Sequence, residues 1–179
     1  MAAPECVTLG RQALQHLRLT LERQIGTSAA SVLQEAGFAS GESIYNAFEA
    51  WLGARYGVSR PQDLDAEYLG EALSAFFNEL GWGTLTLGEL GPSVMLVDAP
   101  SWAESWPGAA QYPSCHVSSG VLADVFSRMS GGQFAAMEVE CRSKGDHHCR
   151  FLLAAPETLM LVYERMTHGL GYRQALGAA

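Results

Sequence analysis

The sequence predicts an α+β domain, an antiparallel four-stranded sheet built from two hairpins with helices packed on one side. Two observations carry that expectation. Apolar residues recur at three- and four-residue spacing over most of the chain, as amphipathic helices require. Short apolar or alternating runs occur in two pairs, each joined by a tight turn, as strands do. The order is helices, two strands, helix, two strands, helix. Strands joined by short turns pair antiparallel, which segregates the helices. The 179 residues suit one domain with a sizeable core, expected over about 28–168, with a frayed tail at 169–179.

Leu14, Leu17 and Leu21 give the first helix, about Leu9 to Gln24, one apolar face, and Gly26 ends it. Thr27 or Ser28 caps a second helix carrying Val32, Leu33 and Ala36, and Gly37 and Gly41 mark a bend. A third helix, about Glu42 to Tyr56, carries Ile44, Tyr45, Phe48, Trp51 and Leu52. Such a bulky stripe reads either as plain core or as one wall of an apolar pocket. A fourth, about Asp65 to Leu80, buries Leu69, Leu73, Phe76, Phe77 and Leu80 behind acidic first turns that suit the helix dipole.

The pattern changes at Gly81-Trp82-Gly83. GTLTLGEL alternates as a half-exposed strand, Gly91-Pro92 turns the chain, and SVMLVDA returns as a more buried one. Pro100 to Pro113 is a loop holding Trp102, Trp106 and Tyr112, which would form a pocket rim or plug the open end of the core. A helix from Ser114 to Met129 follows, closed by Gly131-Gly132. The strands QFAAMEVEC and HCRFLLA then flank a turn at Ser143–Asp146, and Pro156 opens a last helix to about His168.

Composition narrows the function. Net charge is -8 with no basic stripe, which argues against direct nucleic-acid binding. No apolar run is long enough for a membrane span and no signal-peptide core is present, so cytosol is the expected compartment. There is no dinucleotide fingerprint, nucleophile elbow or phosphate loop, and no catalytic residue is assigned. His16 and His168 are isolated on helices, and Cys6 lies apart from the other cysteines.

The chemistry concentrates in Cys115–Phe151, which holds three of the four cysteines and three of the five histidines. A hairpin centred on Gly145 sets Cys141 opposite Cys149, with Cβ atoms about 5 Å apart. Two thiolates there suit one metal ion, with Cys115 as a third ligand. A Cys141–Cys149 disulfide or three reduced core thiols fit the same spacing. Glu138 is the best fourth ligand, yet two-residue alternation points it away from Cys141, so it needs a bulge or irregular strand end between them. His116, His147 and His148 are the replacements. Arg142, Lys144 and Arg150 lie nearby to offset a negative site.

These residues resemble the 4-vinyl reductase domain, also found as the sensor module of phenol- and aromatic-responsive transcription activators. The intervals among Cys115, Glu138, Cys141 and Cys149 match that family's zinc ligands: a glutamate three residues before the second cysteine, and a third cysteine eight residues after it. LQEAGFASG (Leu33 to Gly41) and Val97–Ser101 resemble two further segments, so the likeness spans roughly Ser28 to Tyr163. It implies a fold shared with vesicle-tethering subunits and a closed, structural Zn2+ site. It also implies a small apolar or aromatic ligand bound in a pocket between helices and sheet. Candidate lining residues are Tyr45, Phe48, Trp51, Leu52 and Phe77, with Trp82, Trp102, Trp106 and Tyr112. Neither an ATPase module nor a helix-turn-helix follows, so a signal is expected to pass through a homodimer or a separate partner. The family name offers an accessory or enzymatic role in tetrapyrrole 4-vinyl reduction as an alternative. The tethering subunits offer an interaction module with an acyl-filled or closed pocket.

Overall fold

The computed structural model describes residues 6–177. Four helices, α1 (Arg11–Ile25), α2 (Ala29–Tyr56), α3 (Ala66–Glu79) and α4 (His116–Ser130), surround one face of a sheet. Its strands are β1 (Thr86–Glu89), β2 (Met95–Ala99), β3 (Ala135–Glu140) and β4 (Cys149–Ala154). Helices α5 (Pro156–Thr167) and α6 (Tyr172–Gly177) complete the described chain. The strand order is β1-β2-β4-β3, so each hairpin contributes one inner strand, and every pairing is antiparallel.

The expected break at Gly37 and Gly41 is absent: Ala29–Tyr56 is one helix of 28 residues. These glycines are packing devices. A Cβ on Gly37 would overlap the carbonyl of Val117, one on Gly41 would overlap the Asp124 side chain, and one on Gly120 would overlap the carbonyl of Gln34. Three missing side chains thus let α2 and α4 approach backbone to backbone. A helical glycine costs about 1 kcal/mol relative to alanine, and this contact offsets it.

Strand β4 explains a second difference. Cys149, Phe151 and Leu153 join the core under α2–α4, whereas Leu152 and Ala154 pack with Leu159, Val162 and Ala175. The run FLLA is therefore buried on both faces, as continuous apolar strands are. Helices α5 and α6 cover the sheet face expected to stay free of helices. The tail expected to fray forms α6 over residues 172–177, where Ala175 is fully buried and Arg165 Nη1 donates to its carbonyl at 2.5 Å. Residues 178–179 lie outside the described residues.

The connection from β2 to α4 is a loop, as expected. It is tied down by Arg11, whose Nε and Nη2 donate to the carbonyls of Ala103 (3.0 Å) and Ser105 (3.1 Å). Trp102 turns inward and is 1% exposed, whereas Trp106 is 37% exposed. Of the two roles open to this loop, Trp102 takes the core plug.

Candidate metal centre

The β3–β4 register builds the centre. Glu138 pairs with Phe151, but Glu140, not Val139, pairs with Arg150, so the strand slips by one residue between Glu138 and Glu140. The slip reverses the side-chain parity that would aim Glu138 and Cys141 at opposite faces. Beyond it, the Cys141 carbonyl accepts from Lys144 N (2.9 Å) and Asp146 N (3.1 Å), and Asp146 Oδ2 accepts from Cys141 N (2.8 Å). Gly145, at φ +110°, supplies a backbone conformation that side chains disfavour.

Cys115 enters from the N-terminus of α4. Its backbone N–H donates to Glu138 Oε2 at 2.9 Å, which tethers the carboxylate to the helix end. Its Sγ lies 3.8 Å from those of both Cys141 and Cys149. One donor atom from each of Cys115, Glu138, Cys141 and Cys149 lies within 4.8 Å of all the others. The three cysteines are fully buried and free, which removes the disulfide alternative.

The donors fit a tetrahedral divalent ion. Sulfurs about 2.3 Å from zinc stand about 3.8 Å apart in a tetrahedron, which is the spacing Cys115 keeps from both partners. Glu138 Oε1 is buried with no hydrogen-bond partner, while Oε2 is used by Cys115. A buried acceptor without a donor costs about 1–3 kcal/mol. A cation at the centre of the cluster removes that cost.

Electrostatics point the same way. Hydrogen bonds from Cys115 and then Cys149 pull the Cys141 thiol far down, while Cys115 is pushed well up by its bond to Cys141, then by Cys149 and burial. Burial, with the Cys141 charge second, pushes Glu138 up to about 9. The cluster by itself thus concentrates negative charge on Cys141 and keeps Cys115 and Glu138 protonated. A divalent cation would supply the missing charge and displace those protons. With all four positions filled by protein the site has no open place for water, so the chemistry the metal would supply is a cross-link between α4 and the β3–β4 hairpin.

The histidine replacements lie elsewhere. His147 is exposed, and His148 Nε2 stands 3.1 Å from Glu140 Oε2 without forming a hydrogen bond. Arg150 does not flank the thiolates either. It donates to Asp98 through Nε (2.6 Å) and Nη2 (2.8 Å), and Nη1 reaches Tyr172 Oη at 2.7 Å. Lys144 is held by Asp146 at 3.1 Å. Beyond the slip in β3, alternation sends Glu140 and Arg150 toward α6.

Of the expected pocket residues, Phe48, Leu52, Phe77 and Trp102 belong to one buried cluster, with Tyr45, Trp51 and Trp82 packed against it. Phe48–Phe76, Phe76–Phe77 and Phe77–Trp102 centroids are 5.0, 5.5 and 5.6 Å apart, ordinary packing distances for aromatic rings. The polar handles are engaged: Trp102 Nε1 donates to Ser118 Oγ at 2.6 Å, Trp51 Nε1 to Glu79 at 2.8 Å, and Tyr45 Oη accepts from Gln62 at 3.3 Å. Tyr112 lies apart, on a groove beside α1.

Glu104 escaped the sequence reading. It is buried and accepts from Val117 N (3.0 Å), Ser118 N (2.7 Å) and Ser118 Oγ (2.5 Å), capping α4 from a loop more than ten residues upstream. No local spacing announces such a cap. Burial pushes its carboxyl from 4.5 up to about 7. The folded protein therefore keeps this proton when the unfolded chain has lost it. Stability should fall as pH rises from about 4.5 to 7, by up to about 3 kcal/mol, and then level off. Glu104→Gln keeps the acceptor without the titration. Denaturant melts across that range should lose this slope in the variant, and an unchanged slope would assign it elsewhere.

Residues 99–155 match the family model of the 4-vinyl reductase domain, covering the metal hairpin and α4. Among solved structures, the chain is similar to the phenol-responsive sensory domain of the transcription activator PoxR with phenol (TM-score 0.63, 19% identity, 85% of this chain and 77% of that one). It is similar to a vinyl-4-reductase family protein from Methanocaldococcus jannaschii (TM-score 0.54, 19% identity, 83% of each chain). A third similar structure is a trafficking protein particle complex subunit 3 from Naegleria fowleri, covalently bound to palmitic acid (TM-score 0.60, 13% identity, 80% of this chain and 91% of that one). No curated protein sequence matches the chain. At these identities the structures establish a shared fold, and the family-model match agrees with the resemblance read from the cysteine and glutamate intervals.

Proposed function

We propose that this protein is a zinc-stabilised, small-molecule-binding sensor domain of the 4-vinyl reductase type. The observation that carries the metal part is the convergence of Cys115, Glu138, Cys141 and Cys149, with Glu138 Oε1 unpartnered among them. The ligand part is supported by the family-model match and by a fold shared with a domain described as phenol-responsive. Zinc is structural in this reading, and the ligand is a small apolar or aromatic molecule. It enters between helices and sheet, where Phe48, Phe77, Trp82 and Trp102 supply ring surface. The domain works as a homodimer or with a separate signalling partner in the cytosol, and catalyses nothing.

The ring-on-ring packing of Phe48, Phe76, Phe77 and Trp102 favours one competing reading, an interaction module whose core is closed by its own side chains. Thermal melting with phenols and hydrocarbons separates the two. A ligand that binds only the native state at a hundredfold excess over Kd adds about 2.7 kcal/mol. The sensor reading expects such a shift, with the compound recovered unchanged and Trp102→Ala reducing it without loss of zinc. A flat response across the panel would leave the interaction module standing.

A further inference from the structure

Helix α1 is turned against its own hydrophobic pattern. Leu17 is 48% exposed and Ile25 43%, while Arg18, on the same helix, is 5% exposed. Burying a guanidinium is costly unless its donors are paired. Among the described residues Arg18 makes one hydrogen bond, from Nη1 to Glu22 Oε1 at 2.7 Å. An arginine has five N–H donors. Among the described residues, the fully buried polar side-chain atoms without a partner are Glu138 Oε1 and His148 Nε2. Arg18 Nε and Nη2 are not among them, so these unbonded donors open onto the space beside α1. That space is a groove of about 1150 Å³ between α1, the start of α2, residues 108–114 and α5.

We infer that this groove is a binding site for small amphipathic carboxylates, with Arg18 as the anion-binding group. The walls suit the body of such a molecule: Tyr112, Met137, Tyr163 and Met166 line it. The charges suit its head. One guanidinium is flanked by Glu22 and by Glu138, which is tethered to Cys115 and directed to the cysteine cluster. A single cation in such surroundings fits a monoanion and rejects a phosphate dianion. A carboxylate can take the free edge of Arg18 in a two-point contact, the geometry for which arginine is preferred over lysine. The site is separate from the ring-packed core and goes beyond the proposed sensor reading, since it does not need that core to open.

Methionine-methyl NMR on the metal-replete protein tests it with phenylacetate and its neutral counterpart 2-phenylethanol. Met137 and Met166 line the groove, whereas Met95 and Met129 report the core under α2–α4. Phenylacetate should shift Met137 and Met166 and bind at least about tenfold tighter than 2-phenylethanol, a difference of about 1.4 kcal/mol. Arg18→Gln should erase that preference, and Tyr163→Ala, at an exposed residue, should weaken both compounds. Equal affinity for acid and alcohol would overturn the inference, as would shifts confined to Met95 and Met129 or no response to millimolar phenylacetate. Because wild type alone decides between acid and alcohol, the test survives a variant that fails to fold. Shifts at Met95 and Met129 with phenol would support the core pocket independently, so the two readings fail separately.

Discussion

Cys149→Ser is expected to lower stability by about 5 kcal/mol or more and to release one zinc per chain. Structural zinc contributes about 10–16 kcal/mol of apparent folding free energy in small domains with almost no core. This chain has a core of its own, so a partial loss is expected. What fails is local: Cys115, Cys141 and Cys149 are fully buried, and Glu138 has an unpartnered oxygen facing no donor. With the ion gone, the hairpin loses its link to the start of α4. At roughly 2–4 °C per kcal/mol for a chain this long, melting should fall by about 10–20 °C, and a strong chelator should act on wild type in the same way. Cys6→Ser should do neither, because Cys6 is not among the converging donors. A variant that keeps the wild-type melting curve would remove zinc from the fold's support.

The second large effect concerns α2 and α4. Gly120→Ala should destabilise by about 3 kcal/mol or more, since the new methyl would meet the backbone of Gln34, Gly37 and Phe38. Overpacking usually costs about 1–3 kcal/mol when side chains can shift; here no rotamer relieves the overlap, and the helices must move apart. Gly37→Ala should behave alike, facing the Val117 carbonyl. Gly53→Ala is the contrast. Its nearest neighbour would be the Val58 carbonyl oxygen at 3.7 Å, an ordinary contact, so helix propensity alone should stabilise by up to about 1 kcal/mol. Urea unfolding of the three variants checks the signs, and similar effects at Gly53 and Gly120 would contradict this account of the interface.

The same glycines show where sequence stops being legible. Gly37 and Gly41 in a polar setting read as a break, because local propensity cannot see that α4 will arrive against them. The candidate metal site was easier. The intervals among Cys115, Glu138, Cys141 and Cys149, with strand alternation, were enough to require an irregularity near Glu138, and the register slips there. Arg18 was hidden by the reverse effect: Leu14, Leu17 and Leu21 suggest one buried face, yet tertiary packing rotates Leu17 outward and draws Arg18 in. Glu104 caps a helix far along the chain, and Tyr172 pins α6 by donating to Glu140 at 2.6 Å. Both contacts depend on the finished fold. The cover on the second sheet face was partly legible, since FLLA in β4 is apolar without alternation.

X-ray absorption at the zinc edge on protein purified without added chelator tests the central claim most directly. The account predicts one zinc per chain with three sulfurs at about 2.3 Å, one oxygen at about 2.0–2.2 Å and no imidazole scattering. Protein free of metal, or zinc bound through a histidine in place of Glu138, would contradict it.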